Sequence, residues 1–304
     1  MDLNLLHLVF SLTVDGTPGD RFDLFDLFRR FPARFREVTC GRTTPCDGCP
    51  ETTGCPWFPL LGQQLSTDPE AVRRHQKPPL PFIFGIPLLP PGEHPAADSE
   101  VSLTLVGSAV NHAADFIRAL ERCVTEDRCG CNRLITIDGV SSRGVYGERS
   151  LLRMTRRGEL TGDLRILAGD DIAGKSAPDK ENVPVTFQTP FRQLREGRLF
   201  RTLDCSAFLR GVIRRVSSLV ATYGGGETDA DFRELAGLSR GIQLQQNALH
   251  FTAGTPPNRG GVQGSVILSG DLEPFLPYLF LGEYLHAGKG ASWGFGRYEL
   301  TVDR

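Results

Sequence analysis

Two hydrophobic periods alternate along this chain and divide it into similar halves. The opening stretch LNLLHLVFSLTV is apolar almost throughout and predicts a buried strand over residues 3–14. GTPGD then marks a turn, with Asp20 placed to cap a helix. Phe22, Phe25, Phe28, Phe31 and Phe35 follow at the spacing of one helix face, and Pro32 should kink or split that helix. An apolar run fenced by prolines, PLPFIFGIPLLPP, predicts an edge strand. EVSLTLVGSAV reads as a strand, NHAADFIRALERCV as an amphipathic helix, and RLITIDGV and DLRILAG as further strands.

The polar, turn-rich segment GDDIAGKSAPDKENVP interrupts this pattern, after which it repeats. VPVTFQTPF predicts a strand, and Asp204 should cap a long helix ending at Gly224. GIQLQQNALHFTA and GGVQGSVILSG read as strands, DLEPFLPYLFLGEYLH as a helix, and GRYELTVD as a closing strand. Strand, helix, strand, strand, helix, strand is the ferredoxin-like order. The expected fold is therefore α+β, with two tandem ferredoxin-like (RRM-like) domains built on antiparallel sheets. The boundaries fall at residues 1–170, with a cysteine-rich insertion near 40–60, a linker at 171–183, and a second domain at 184–304.

Composition adds little to this until the kind of charge is considered. A formal net charge of −2 gives no bulk sign of a nucleic-acid partner. Yet only Lys77, Lys175, Lys180 and Lys289 are lysines among 34 basic residues; the rest are arginine, whose planar fork suits phosphate. A GC-rich genome would bias composition the same way. The first apolar run has no basic n-region and is too short to span a bilayer, so a cytoplasmic protein is expected. In a reducing compartment, clustered cysteines point to metal before disulfides.

The stretch YLHAGKGASWGFGRYEL places Gly288, Gly290, Gly294 and Gly296 between the last helix and the last strand. It is not a phosphate-binding P-loop, which would need glycine at Glu283 and a hydroxyl at Gly290. Nor is it a dinucleotide fingerprint, because Trp293 stands where the third glycine belongs. It resembles the C-terminal glycine-rich loop of the CRISPR repeat-processing endoribonucleases of the RAMP superfamily. The resemblance extends through TPFRQLREGRLFRTLDCSAFLRGVIRRVSSLVATYGGG and GGVQGSVILSGDLEPFLPYLFLGEYLHAGKGASWGFGRYEL, covering most of residues 183–300. CGRTTPCDGCPETTGCPWFPLLG is similar to a cysteine cluster in one branch of that family.

The resemblance implies tandem ferredoxin-like units binding a CRISPR repeat RNA, often a stem-loop. It implies metal-independent cleavage, in which a ribose 2′-hydroxyl attacks the adjacent phosphate and leaves a 2′,3′-cyclic phosphate and a 5′-hydroxyl. Retention of the product and membership of an effector complex belong to the same expectation. No cofactor would be needed for catalysis.

In the loop, glycines let backbone N–H groups approach phosphates, Lys289 adds charge, Ser292 a hydrogen bond, Trp293 a stacking surface and Arg297 a fork. The basic segment FRQLREGRLFR adds Arg192, Arg195, Arg198 and Arg201 as RNA contacts, and Arg210, Arg214 and Arg215 extend that surface. SLLRMTRRG, residues 150–158, is a further basic stretch able to grip a stem.

Cleavage of this type needs a base, an acid and positive charge at the phosphate. His286, directly before the loop, is the first candidate. Family members often carry the catalytic histidine in or after the first helix, where this chain has none. Arg29, Arg30, Arg34 and Arg36 occupy that region, and Arg30 and Arg34 are the candidates there for stabilising the pentacovalent phosphate.

Cys40, Cys46, Cys49 and Cys55 have the spacing of a four-thiolate site, for which structural zinc is the expected metal. With all four positions filled by protein, such a site would pin the insertion and activate no water. Two other readings stay open: a non-catalytic RAMP subunit anchoring the end of a CRISPR RNA, and a zinc-stabilised protein–protein adaptor.

Overall fold

The computed structural model describes residues 1–16, 20–40, 42, 46, 49–51, 54–62, 79–89, 99–126, 133–195, 197–226, 230–254 and 259–301. The chain resolves into two units. One comprises Leu5–Phe82 and Ile86–Ile166; the other comprises Met1–Asn4, Ile83–Gly85 and Leu167–Arg304.

The first sheet is built from β1 (Asn4–Gly16), β2 (Phe82–Gly85), β3 (Ser99–Val106), β4 (Arg133–Arg143), β5 (Arg149–Met154) and β6 (Leu160–Thr161), in the order β2-β3-β1-β4-β5-β6. β2 takes the edge that its flanking prolines predicted. β1 lies antiparallel to both neighbours, with Leu5 opposite Val106 and His7 opposite Arg143. The helices of this half are α1 (Asp23–Phe28), α2 (Phe31–Thr39), α3 (Trp57–Leu61) and α4 (Ala113–Glu126).

The phenylalanine stripe forms the helix-facing core. Phe22, Phe25, Phe28, Phe31 and Phe35 are all buried. The Phe31 and Phe35 rings lie 5.6 and 4.6 Å from Phe116 of α4. Pro32 splits the helix as expected, and does so by sitting in the first turn of α2, where its missing N–H leaves no bond unmade. The break itself is at Arg29 and Arg30. The basic stretch SLLRMTRRG becomes β5 and its following turn, with Arg153, Arg156 and Arg157 exposed.

β7 (Ile166–Ala168) and α5 (Gly169–Ala173) lead into the second half. Its elements are β8 (Asn182–Phe191), β9 (Leu194–Arg195), β10 (Arg198–Leu199), α6 (Cys205–Tyr223), α7 (Phe232–Leu238), β11 (Gln243–Gln245), β12 (His250–Thr252), β13 (Gly261–Ser269), α8 (Leu276–Leu285) and β14 (Tyr298–Leu300). The sheet order β11-β13-β8-β14, with antiparallel neighbours, is the ferredoxin-like arrangement. Asp204 caps α6 as predicted, its carboxylate accepting from the Ala207 N–H at 2.9 Å.

Two features of this half differ from the expectation. The strand expected over GIQLQQNALHFTA is divided into β11 and β12, and Gln246, at φ 42°, sits at the break. Helix α7 was not foreseen; most of its side chains are exposed, so it lacks the apolar stripe that signals a helix.

The core that carries the candidate site is aromatic. Phe208 of α6 meets Phe187, Phe191 and Tyr298 at ring distances of 5.3, 5.3 and 5.5 Å. The Tyr298 hydroxyl donates to the Leu279 carbonyl at 2.8 Å. A Cβ at Gly282 would overlap that hydroxyl, so glycine here is what lets α8 press against β14. Together these contacts fix both anchors of the loop that joins them. Among the described residues no helix is long and apolar enough to cross a membrane.

Candidate nucleic-acid interface

The loop from α8 to β14 is a folded object. Gly288, Gly290, Gly294 and Gly296 all have positive φ, at 80°, 83°, 90° and 63°. A Cβ at Gly288 would lie 2.7 Å from the Arg192 carbonyl oxygen, and one at Gly296 would overlap the Ala287 carbonyl oxygen. The glycines are therefore required by backbone conformation and close packing. A short 3-10 turn, Ala291–Trp293, occupies the middle of the loop.

Hydrogen bonds hold the loop to the end of β8. Lys289 N–H donates to Arg192 O at 2.9 Å, Gly296 N–H to Pro190 O at 3.0 Å, and Ala287 N–H to Gly296 O at 3.1 Å. The Thr189 hydroxyl donates to Gly294 O at 2.7 Å and accepts from Arg297 N–H at 2.9 Å. Several N–H groups expected to meet phosphate are thus used inside the protein. What the loop offers outward is its tip, where Gly288 and Lys289 are exposed.

The predicted side chains divide by environment. Lys289 is exposed. Arg192 is half-buried, with its guanidinium 5.0 Å above the Phe295 ring, and desolvation lowers its pKa. Arg297 pairs with Glu299 at 3.1 Å. Ser292 is buried, and the Trp293 ring stacks on Phe84 at 6.0 Å, so neither projects freely from the tip. Arg195 and Arg198 lie directly opposite each other on the β9–β10 hairpin. Arg201 is exposed, its guanidinium 4.4 Å above Phe251.

Arg215 does not extend the basic surface as expected. It is half-buried and turned inward, donating from Nε to Leu285 O at 2.6 Å and from Nη2 to Ser292 Oγ at 3.2 Å. Burial lowers its pKa to about 10, which leaves it charged at neutral pH. The signal was present in the sequence: Arg215 lies three residues after Val212 and four before Leu219, inside the apolar stripe of α6. Arg210 and Arg214 are exposed, as a solvated or ligand-facing helix side requires.

His286 closes α8. Its N–H donates to Gly282 O at 2.8 Å, its backbone takes φ 56° and ψ 175°, and it is 4 % exposed. A non-glycine residue in that region is strained by about 1–3 kcal/mol and is held there by its surroundings. A base acting on RNA must be reachable, so this imidazole would have to be uncovered to serve.

In the other unit the first-helix arginines are engaged in different ways. Arg29 and Arg30 are exposed where α1 gives way to α2. Arg34 pairs with both Glu37 and Glu126, each at 2.8 Å, and so ties α2 to α4. Arg36 lies 5.8 Å from the centre of the Trp57 ring. The same helices and β4 border a cavity of about 600 Å³ lined by Glu37, Arg118, Glu121, Arg122, Thr125 and Thr136, among others. Burial raises the Glu121 pKa, and Arg118 partly offsets that.

Cys40, Cys46, Cys49 and Cys55 are free and half-buried, and Cys49 N–H closes a turn onto Cys46 O at 3.1 Å. Among the described residues no three His, Cys, Asp or Glu side chains are gathered closely enough to hold a metal. Cys129 and Cys131 lie outside the described residues.

Sheet order and helix placement define the class: two tandem ferredoxin-like units with antiparallel sheets. Residues 185–298 match the family model described as CRISPR-associated endoribonuclease Cas6. A second family model, described as an N-terminal domain, matches residues 30–156. No curated protein matches the chain. Among solved structures, Thermus thermophilus Cas6 is similar with a TM-score of 0.55 at 15% identity, over 99% of this chain and 99% of that one. A Cas6 product complex gives 0.54 at 18% identity, over 97% and 99%. A partial Cas6-RT-Cas1–Cas2 complex gives 0.53 at 14% identity, over 99% of this chain and 46% of the other. At these identities the structures speak to the fold.

Proposed function

We propose that this chain binds a CRISPR repeat RNA and processes the precursor transcript, holding the RNA backbone at the glycine loop and the neighbouring arginine hairpin. The observation that carries this reading is the coincidence of the Cas6 family match with a built loop whose exposed tip bears Lys289. Relatives solved as substrate-mimic and product complexes support an RNA substrate, and the Cas6-RT-Cas1–Cas2 assembly supports further CRISPR proteins as partners. On the C-terminal sheet, polar side chains bond across strands: Thr186 to Ser265 at 2.9 Å, and Gln188 to Glu299 at 3.2 Å. The RNA contacts are therefore assigned to the loop end of the unit.

The proposed chemistry needs no metal. The 2′-oxygen attacks phosphorus as its proton passes to a base, the bond from phosphorus to the 5′-oxygen breaks, and that oxygen takes a proton. The products are a 2′,3′-cyclic phosphate and a 5′-hydroxyl. His286, Arg30 and Arg34 are the candidates for this step. Arg30 is exposed, whereas His286 must be uncovered and Arg34 released from its two carboxylates. Those two constraints favour a second reading, a RAMP subunit that holds the RNA end without cutting it.

Incubating the chain with repeat RNA from the neighbouring array in EDTA separates the readings. Cleavage that a 2′-deoxy nucleotide at the cut site abolishes supports processing. Tight binding without cleavage supports the holding subunit, and no binding overturns both. Structural zinc remains part of the proposal on donor chemistry alone, four thiols within sixteen residues. Elemental analysis of the purified chain tests it, with stoichiometric zinc lost on Cys46→Ser and Cys49→Ser.

A further inference from the structure

We infer that Arg215 is a positioning residue for the anion-binding loop, tying its central turn to the end of α8 so that Lys289 is presented at a fixed place. This rests on the RNA-binding reading above. The guanidinium reaches two segments that are apart in sequence: the Leu285 carbonyl, next to His286, and the Ser292 hydroxyl in the turn. Both contacts come from one planar fork, which lysine could not reproduce.

Two features argue against simple packing. Arg215 stands in an apolar stripe with Val212, Val216 and Leu219, where leucine or methionine would fill the space without desolvating a charge. Among the described residues no carboxylate forms an ion pair with it, and its partners are the neutral oxygens of Leu285 and Ser292. A half-buried cation behind a loop whose exposed tip carries another cation is unfavourable for the free protein. It becomes favourable when the loop meets a polyanion, because low dielectric strengthens its field there. Ser292 thereby changes role, from a direct RNA contact to the part of the loop that the clamp grips.

The test uses the full chain and repeat RNA, measuring affinity by titration and stability by thermal melting. Arg215→Met can fail to fold, so Ser292→Ala is the primary variant: it removes only the loop arm and leaves the bond to Leu285 O. Ser292→Ala should weaken RNA binding about fivefold to tenfold, the worth of one hydrogen bond to a charged group. Arg215→Lys should weaken it similarly, and adding Ser292→Ala to it should cost little more. The decisive readout is coupling, which a packing role would not move. Lys289→Ala should cost less affinity in the Ser292→Ala background than in the wild type. Additive losses, or unchanged binding by Ser292→Ala, would overturn the inference. If the wild-type chain does not bind repeat RNA, the RNA reading fails first and is seen to fail separately.

Discussion

The glycine loop of the C-terminal half and the arginine helices of the N-terminal half looked alike as basic candidates, yet the structure treats them differently. In the loop, the backbone is over-determined: four left-handed glycines and bonds to the β8 end leave Lys289 at an exposed tip. In the helices, the backbone is ordinary and the charges answer one another, with Arg34 held by Glu37 and Glu126. A cation on a strained, tightly packed loop is hard to explain without a ligand. A cation between two carboxylates is explained by the fold around it. Basic composition alone could not tell these apart.

Breaking the loop should have the largest effect. Gly296→Ala places a Cβ against the Ala287 carbonyl at positive φ, so we expect a loss of about 2–4 kcal/mol in stability and loss of RNA binding. Gly139→Ala in β4, where nothing lies within 4 Å, is the control and should change melting little. Arg34→Ala should lower stability by about 1 kcal/mol, through the lost tie between α2 and α4, and leave RNA affinity unchanged. A selective loss of cleavage in that variant would instead return Arg34 to the chemistry.

His286 offers a finer cut. His286→Gly relieves the positive φ whereas His286→Ala keeps it, so the glycine variant should be more stable than the alanine variant by about 1 kcal/mol. If the imidazole is the base, both should lose cleavage alike. Equal stability of the two would mean the backbone there is not strained. Smallest of all, Asp204→Ala should cost α6 about 1 kcal/mol or less and leave the loop intact.

What could be read in advance followed from backbone rules. The phenylalanine stripe, the proline-fenced edge strand, the Asp204 cap and the doubled strand–helix order each depend on local spacing, and each is present. The glycines marked the loop, because four of them in nine residues is costly unless positive φ demands it. What could not be read was where the side chains of that loop turn. Ser292 is buried and accepts from Arg215 of α6, a contact 77 residues away in sequence. Arg34 meets its partner Glu126 across two helices whose packing no spacing encodes. Helix α7 escaped because its exposed side chains give no period to read.

The central claim is that the loop tip holds RNA backbone, and the salt dependence of repeat-RNA binding by the wild type and by Lys289→Ala tests it most directly. The account predicts weaker binding by the variant at every salt concentration, unchanged melting, and a slope of log affinity against log salt reduced by about 0.7–0.9, one phosphate contact. An unchanged affinity and slope would contradict it and move the RNA elsewhere on the molecule.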